Sequence, residues 1–269
     1  MRAILPLTRV CRHWRESIIS TPENWSVISS YRRNFAALSL ERAKAAPLEI
    51  CIYMGVMRED PQFLDLPVPH FQNTQTLRVT GLLSIKDLFV FSQHPMINLR
   101  SLMLSDLGVG GLDRPIDSFE LSAHALRYLD LVGVPLYPSF LNIRTLTWLN
   151  LFDHQFNLHL DTLLDFLEEN RSLTSANLRI WFIEPSLRSS RRRAPIENQL
   201  KYLRISCDNP MDGQALISGI ALSKGAVLEF TCRGGYGVGV NDVLSNISTT
   251  YISNLLSPLH AVPRLPRDH

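Results

Sequence analysis

Aliphatic residues recur along this chain in the frame apolar-x-apolar, usually with another aliphatic three residues earlier, and this recurrence constrains the fold more than any single residue. The clearest copies are Leu99, Leu102, Leu104; Leu126, Leu129, Leu131; Leu146, Leu149, Leu151; and Leu200, Leu203, Ile205. With the middle aliphatic as marker, the series runs Ile50, Leu77, Leu102, Leu129, Leu149, Ala176, Leu203, Leu228, in steps of 27, 25, 27, 20, 27, 27 and 25 residues. Alternate positions of a short strand face one way, and the earlier aliphatic closes the turn into it. One such unit cannot bury its apolar face alone. Stacked on its neighbours at a strand spacing of about 4.8 Å, it shares a continuous core, so the expected class is α/β, a solenoid of short parallel strands. An ordinary doubly wound sheet also alternates strands and helices and is the competing fold.

The residues between markers should return the chain along the outer side. Ser84 to Phe91 reads as a helix beginning near Ser84 or Asp87. Leu160, Leu163, Leu164 and Leu167 fall on one helical face, with Glu168 and Glu169 turned outward. Gln214 to Lys224 gives a third helical stretch, stopped by Gly225. In the short step, Gly133, Pro135 and Pro138 leave little room for a helix and point to an extended loop.

At 269 residues, 45% of them hydrophobic, the chain can bury a large core. Its formal charge of +2 carries no broad electrostatic message, so binding nucleic acid through a basic surface is not expected. Cys11, Cys51, Cys207 and Cys232 have no CxxC pair and no metal-ligand spacing, and no secretory leader opens the sequence, so a reduced cytoplasmic or nuclear setting is expected. No window approaches the roughly 20 apolar residues of a membrane span, and no membrane partner is expected. The sequons headed by Asn24, Asn170 and Asn246 should then stay bare.

The first thirty residues read as a separate unit. Leu7, Val10, Cys11, Trp14 and Ile18 recur at helical spacing, with Arg9, Arg12, His13, Arg15 and Glu16 on the other faces. Pro6 suits the first turn of this amphipathic helix, and Thr21-Pro22 ends it. Trp25 should pack back against it. The run Val10-Cys11-Arg12-His13-Trp14-Arg15, followed by Ser20-Thr21-Pro22-Glu23-Asn24-Trp25, resembles the second half of an F-box domain of the F-box-like type abundant in mushroom-forming fungi. Leu40 to Ile50, with its Ala46-Pro47-Leu48 phrase, is similar to the segment that in this family leads into a strand and then leucine-rich repeats. The specific match covers roughly residues 4 to 52; beyond it only the repeat architecture agrees. The family's opening helix, with a Leu-Pro-x-Glu start, has no counterpart, so the F-box is expected to be incomplete at its N-terminal side.

The resemblance implies a leucine-rich-repeat solenoid with a short N-terminal α-helical F-box-like cap. Its expected divisions are a partial F-box-like segment at 1–30, the repeats at 31–257 and a disordered tail at 258–269. It also implies a role as substrate-recognition subunit of a Skp-cullin-F-box ubiquitin ligase, not an enzyme itself and without cofactor, with a Skp-family adaptor and an unknown protein substrate as partners. Matched to the motif, Leu7, Val10, Cys11 and Trp14 would face the adaptor, in the manner of an apolar helix face set in a groove. A leucine-rich-repeat scaffold with no ligase link is the alternative. The helical segment would then only close the end of the stack.

Positions beside each marker leave the core and line the concave sheet. Before the markers stand Thr76, Ser101, Tyr128, Trp148, Ser175 and Tyr202; after them stand Arg78, Met103, Asp130, Asn150, Asn177 and Arg204; a further column carries Val132, Phe152 and Arg179. Aromatic and arginine side chains are the usual anchors of protein interfaces. The expected substrate-binding residues are therefore Arg78, Tyr128, Asp130, Trp148, Asn150, Phe152, Tyr202 and Arg204.

Other signals point to no chemistry. Arg188, Arg191, Arg192 and Arg193 read as a solvated loop before they read as a localisation patch. Gly234, Gly235, Gly237 and Gly239 lack the Lys-Ser or Lys-Thr of a phosphate cradle. His154 and His159, with Asp153 and Asp161, have the wrong offsets for one helix face, so no metal is expected. No nucleophilic triad has a positional signature.

Overall fold

Every marker residue lies in a strand. The strands of the computed structural model are β1 (Val27–Ser29), β2 (Leu48–Tyr53), β3 (Thr74–Thr80), β4 (Ser101–Ser105), β5 (Tyr128–Val132), β6 (Trp148–His154), β7 (Ser175–Ile180), β8 (Ile196–Glu197), β9 (Tyr202–Cys207), β10 (Ile220–Ala221) and β11 (Val227–Cys232). The structure describes residues 11–57, 59–81, 91, 93–105, 123–134, 136, 138–154, 160–180, 195–197 and 199–232. The expected helix at 84–91, the arginine cluster, the glycine-rich turn and the tail after Pro258 lie outside them, Phe91 excepted. So do Leu7 and Val10.

The fold is α/β. Among the described residues, nine strands form one parallel sheet in the order β1-β2-β3-β4-β5-β6-β7-β9-β11, while β8 and β10 pair separately. The order follows the chain without reversing, whereas a doubly wound sheet changes direction at a switch point. Register follows the leucine frame. Ile50 pairs with Leu77, Leu77 with Leu102, Leu102 with Leu129, Leu129 with Leu149, Leu149 with Ala176, Ala176 with Leu203 and Leu203 with Leu228. Two residues on, Leu104, Leu131, Leu151, Leu178 and Ile205 form a second buried row. Fully burying each such side chain contributes about 1.5–3 kcal/mol, which is why a one-residue slip is excluded: it would turn both rows toward water.

The residue three before the marker is equally buried at Leu99, Leu126, Leu146, Leu173 and Leu200. Around it the backbone polar groups are satisfied from one unit to the next. The Arg100 carbonyl accepts from the Arg127 and Tyr128 N–H groups, the Arg127 carbonyl from Thr147 and Trp148, the Thr147 carbonyl from Thr174 and Ser175, and the Thr174 carbonyl from Lys201 and Tyr202. Side-chain hydroxyls add to these rows: Thr145 Oγ1 donates to the Leu126 carbonyl at 2.6 Å, Ser172 Oγ to Leu146 at 2.9 Å and Ser223 Oγ to Leu200 at 2.8 Å. A turn that would otherwise bury unpaired amides is thereby closed by its predecessor.

Helices cover the core side of the rows. Arg12–Ser20 is α1, Arg33–Ala43 α2, Leu160–Glu169 α3 and Pro210–Ser218 α4. In α3, Leu163, Leu164 and Leu167 are buried as their spacing predicts, and Phe166 widens the apolar face. The stretch expected as a helix over 214–224 divides differently. Asn209 caps α4 by accepting from the Met211 N–H, the helix stops at Ser218, and Ile220–Ala221 is already the strand β10. At Gly219 a Cβ would lie 2.9 Å from Leu164, so this glycine lets α4 end against α3. The short step between β5 and β6 has one helical turn, Pro138–Leu141, in place of an entirely extended return.

At the first edge, Cys11 is extended and sits just before α1, so the continuous helix expected from Leu7 to Ile18 is broken at Cys11 and α1 begins at Arg12. Ile18 and Trp25 are buried, and the Trp25 indole N–H donates to the Ile18 carbonyl at 3.0 Å. Phe35 packs 6.0 Å from the Trp25 ring, and the Arg42 guanidinium lies 4.4 Å over it. The sheet starts before Ile50: Ile28 pairs with Ile50, and the buried Ser30 hydroxyl accepts from the Tyr53 N–H. Residues 1–30 therefore include a strand. Trp25, Ile28 and Ser30 stand at the spacing of Leu99, Leu102 and Leu104.

Candidate functional site

Strand alternation that buries the leucines sends the residues beside them to the opposite face. There, three rows cross the sheet. The first runs Thr76, Ser101, Tyr128, Trp148, Ser175, Tyr202, Val227; the second Arg78, Met103, Asp130, Asn150, Asn177, Arg204, Glu229. The third carries Tyr53, Thr80, Ser105, Val132 and Phe152.

At the centre, Tyr128 and Trp148 stack with ring centroids 3.8 Å apart and planes 5° from parallel. Both are half-buried. In the adjacent row the Asn150 amide donates to an Asp130 carboxylate oxygen at 2.6 Å, and the Asn177 amide donates to the Asn150 oxygen at 2.7 Å. Two amides thus point their donors the same way, toward a carboxylate. Burial raises the pKa of Asp130 above the usual carboxylate range, while the Asn150 hydrogen bond and the Arg78 charge pull it back. The Tyr128 hydroxyl is raised by burial first and by the Asp130 charge second.

In the third row the Arg179 guanidinium lies 4.5 Å over the Phe152 ring. Toward the far edge, burial and then Glu229 raise the pKa of the Tyr202 hydroxyl, while Arg204 pulls it back. Arg204 Nε is 3.5 Å from a Glu229 oxygen, both side chains about half exposed, 49% and 48%. Of the residues expected to bind substrate, the structure brings Tyr128 to Trp148 and Asp130 to Asn150. Phe152 lies in the next row, Tyr202 and Arg204 are two strands further on, and Arg78 is an exposed residue on β3.

Sequence reasoning left Asn177, Arg179 and Glu229 out of the site. The signal for each was its place in the rows: Asn177 follows the Ala176 marker, Glu229 follows Leu228, and Arg179 stands two residues beyond Asn177. Tyr31 and Tyr53, 4.0 Å apart at the β1–β2 end, also escaped notice. Tyr31 follows no marker, so only its proximity in space reveals the pair.

Of the residues expected to face an adaptor, Cys11 and Trp14 are exposed, Trp14 by 52%. Elsewhere, a groove of about 480 Å³ beside α3 is lined by Arg144, Asp165, Glu168, Glu169 and Arg171, with Arg144 paired to Glu169 at 3.1 Å. Cys207 and Cys232 are register partners on β9 and β11, and burial pushes the Cys207 thiol up to about 12. Among the described residues no three His, Cys, Asp or Glu side chains gather as a metal site would require. Among them, too, no helix is long and apolar enough to cross a membrane.

No protein family, no curated protein and no solved structure matches the chain.

Proposed function

We propose that the chain is a leucine-rich-repeat solenoid whose polar sheet face binds a protein, and that it serves as the substrate-recognition subunit of a Skp-cullin-F-box type ubiquitin ligase. One observation carries the binding part: Tyr128 and Trp148, two large aromatic side chains, stand stacked and only half-buried at the middle of the face, flanked in their row by Ser101 and Ser175 and alongside by Asp130 and Asn150. Buried aromatic anchors with a polar surround are the common pattern of interface hot spots. The sheet that holds them is fixed by leucine rows behind it, so the side chains are held in place before a partner arrives.

The ligase part is supported by the F-box-like resemblance and by α1. Ile18 anchors that helix to the core, while Trp14, four residues earlier on the helix, and Cys11, just before its first turn, are exposed. Full-length protein should then co-purify with a Skp-family adaptor, and Trp14→Ala should abolish the association while leaving the melting temperature unchanged. Should adaptor be ignored by both proteins, the ligase role is lost.

The scaffold reading without a ligase link is favoured by a different observation. Ile18, Trp25 and Ile28 are buried against the first edge, so the segment already has a task in closing the stack. It predicts that Trp148→Ala costs partner binding although no adaptor is ever found.

A further inference from the structure

We propose that Ser175 is the floor of a slot that accepts an aromatic side chain of a protein partner, with an acidic residue beside that side chain held by Arg204. This rests on the reading of the polar face as the partner surface and names the chemistry that surface selects.

The slot follows from register. Trp148 on β6, Ser175 on β7 and Tyr202 on β9 are successive partners in one row. Parallel strands lie about 4.8 Å apart, so the two aromatic residues rise from backbones about 9.6 Å apart with, among the described residues of the row, a single hydroxymethyl group between them. Trp148 is drawn toward Tyr128, their centroids at 3.8 Å being closer than the strands that carry them. Beyond Tyr202 lies β11, where Val227 is its register partner and Glu229 pairs with Arg204. A planar group stacked between two rings needs about 3.5–4.0 Å on each side, or about 7–8 Å in all. The gap fits one ring.

Charge decides which planar group. An arginine or an aromatic residue would satisfy the ring faces equally. The row alongside, however, has Arg204 next to Asn177, with Arg179 two residues beyond Asn177 on β7. A cationic occupant would meet like charge there. A carboxylate would instead exchange with Glu229, whose contact to Arg204 is 3.5 Å long and half exposed. Such a pair is weak enough to be replaced, and a carboxylate on a guanidinium forms the stronger two-point contact. Successive outward residues of a strand are about 6.8 Å apart, so the acidic residue stands one or two positions from the aromatic one in an extended segment. Asn177 spends one N–H on Asn150, leaving its amide oxygen and second N–H for the partner's backbone.

The test is a selection of displayed random peptides on the immobilised full chain, repeated on Ser175→Trp, which fills the slot from within, and on Arg204→Glu. Enriched peptides are expected to carry Phe, Tyr or Trp beside Asp or Glu. Their affinity should fall at least about tenfold on Ser175→Trp, a difference of about 1.4 kcal/mol. On Arg204→Glu the acidic preference should disappear, and this variant keeps the proposal testable if Ser175→Trp melts at lower temperature. Peptides that require Trp148 yet ignore both Ser175→Trp and Arg204→Glu overturn the slot and leave the polar face standing. Basic or purely aliphatic peptides overturn the slot as well. Peptides indifferent to every residue of the face, or no enrichment, overturn both readings.

Discussion

Trp25, at the first edge of the sheet, and Trp148, in its middle, are the same side chain in opposite settings. Trp25 is 2% exposed, gives its indole N–H to a backbone carbonyl and is covered by Phe35 and Arg42. Trp148 is half-buried, and its stated partner is another ring of the same exposed row. The difference originates in position within the repeated frame. Trp25 occupies the place of the leading leucine, three residues before an inward marker; Trp148 stands immediately before a marker, where alternation turns it outward. One frame thus decides whether an aromatic residue serves packing or recognition.

The largest effect should come from Trp25→Ala, which opens a cavity at the first edge and removes the shorter of two side-chain hydrogen bonds to the Ile18 carbonyl, leaving the one from Asn24 at 3.4 Å. A loss of about 3–5 kcal/mol is expected, read as a steep fall in denaturant midpoint. If that variant is nearly as stable as wild type, the two settings are not different in kind. Trp148→Ala should remove only a surface stack, about 0.5–1.5 kcal/mol, yet abolish partner binding. Calorimetry alongside a binding assay separates the two losses, and a collapse in stability would place Trp148 with Trp25.

A gain is expected behind the same edge. Ser39, buried on α2, has a hydroxyl with no hydrogen-bond partner, so Ser39→Ala should stabilise by about 1 kcal/mol, seen as a higher melting temperature. The smallest effect concerns the polar face and depends on pH. Because burial raises the folded pKa of Asp130, its contribution is fully present below the unfolded carboxylate value and is lost as pH rises through the folded one. Asp130→Asn should then match wild type in acid and exceed it at neutral pH, by less than about 1 kcal/mol given solvent screening. Equal differences at both ends of a pH series of unfolding curves would contradict this.

The leucine rows were legible in the chain because inward positions repeat the same side chains at the same offsets; even Ala176, a degenerate copy, pairs as the spacing demands. The first strand was less visible since Trp25 and Ser30 replace the aliphatics on either side of Ile28, and chemistry disguised the spacing. The helix after β9 was misplaced because Ile220 and Leu222 continue an apolar pattern that the backbone abandons at Gly219. Of the candidate site, sequence located the rows but not the contacts within them. A ring stack and an amide chain depend on rotamers, and rotamers follow from neighbours that lie about 20 to 27 residues away.

The carbonyl rows that tie each turn to the one before have a bearing on how such a chain can change length. Since the Arg100, Arg127, Thr147 and Thr174 carbonyls all receive the next turn in the same manner, excising one complete period joins ends that already match, and duplicating one inserts a ready-made partner. Gain or loss of a single residue inside a strand instead turns the rest of that strand's side chains to the wrong face unless a bulge absorbs it. Heredity can edit this molecule by the paragraph far more easily than by the letter.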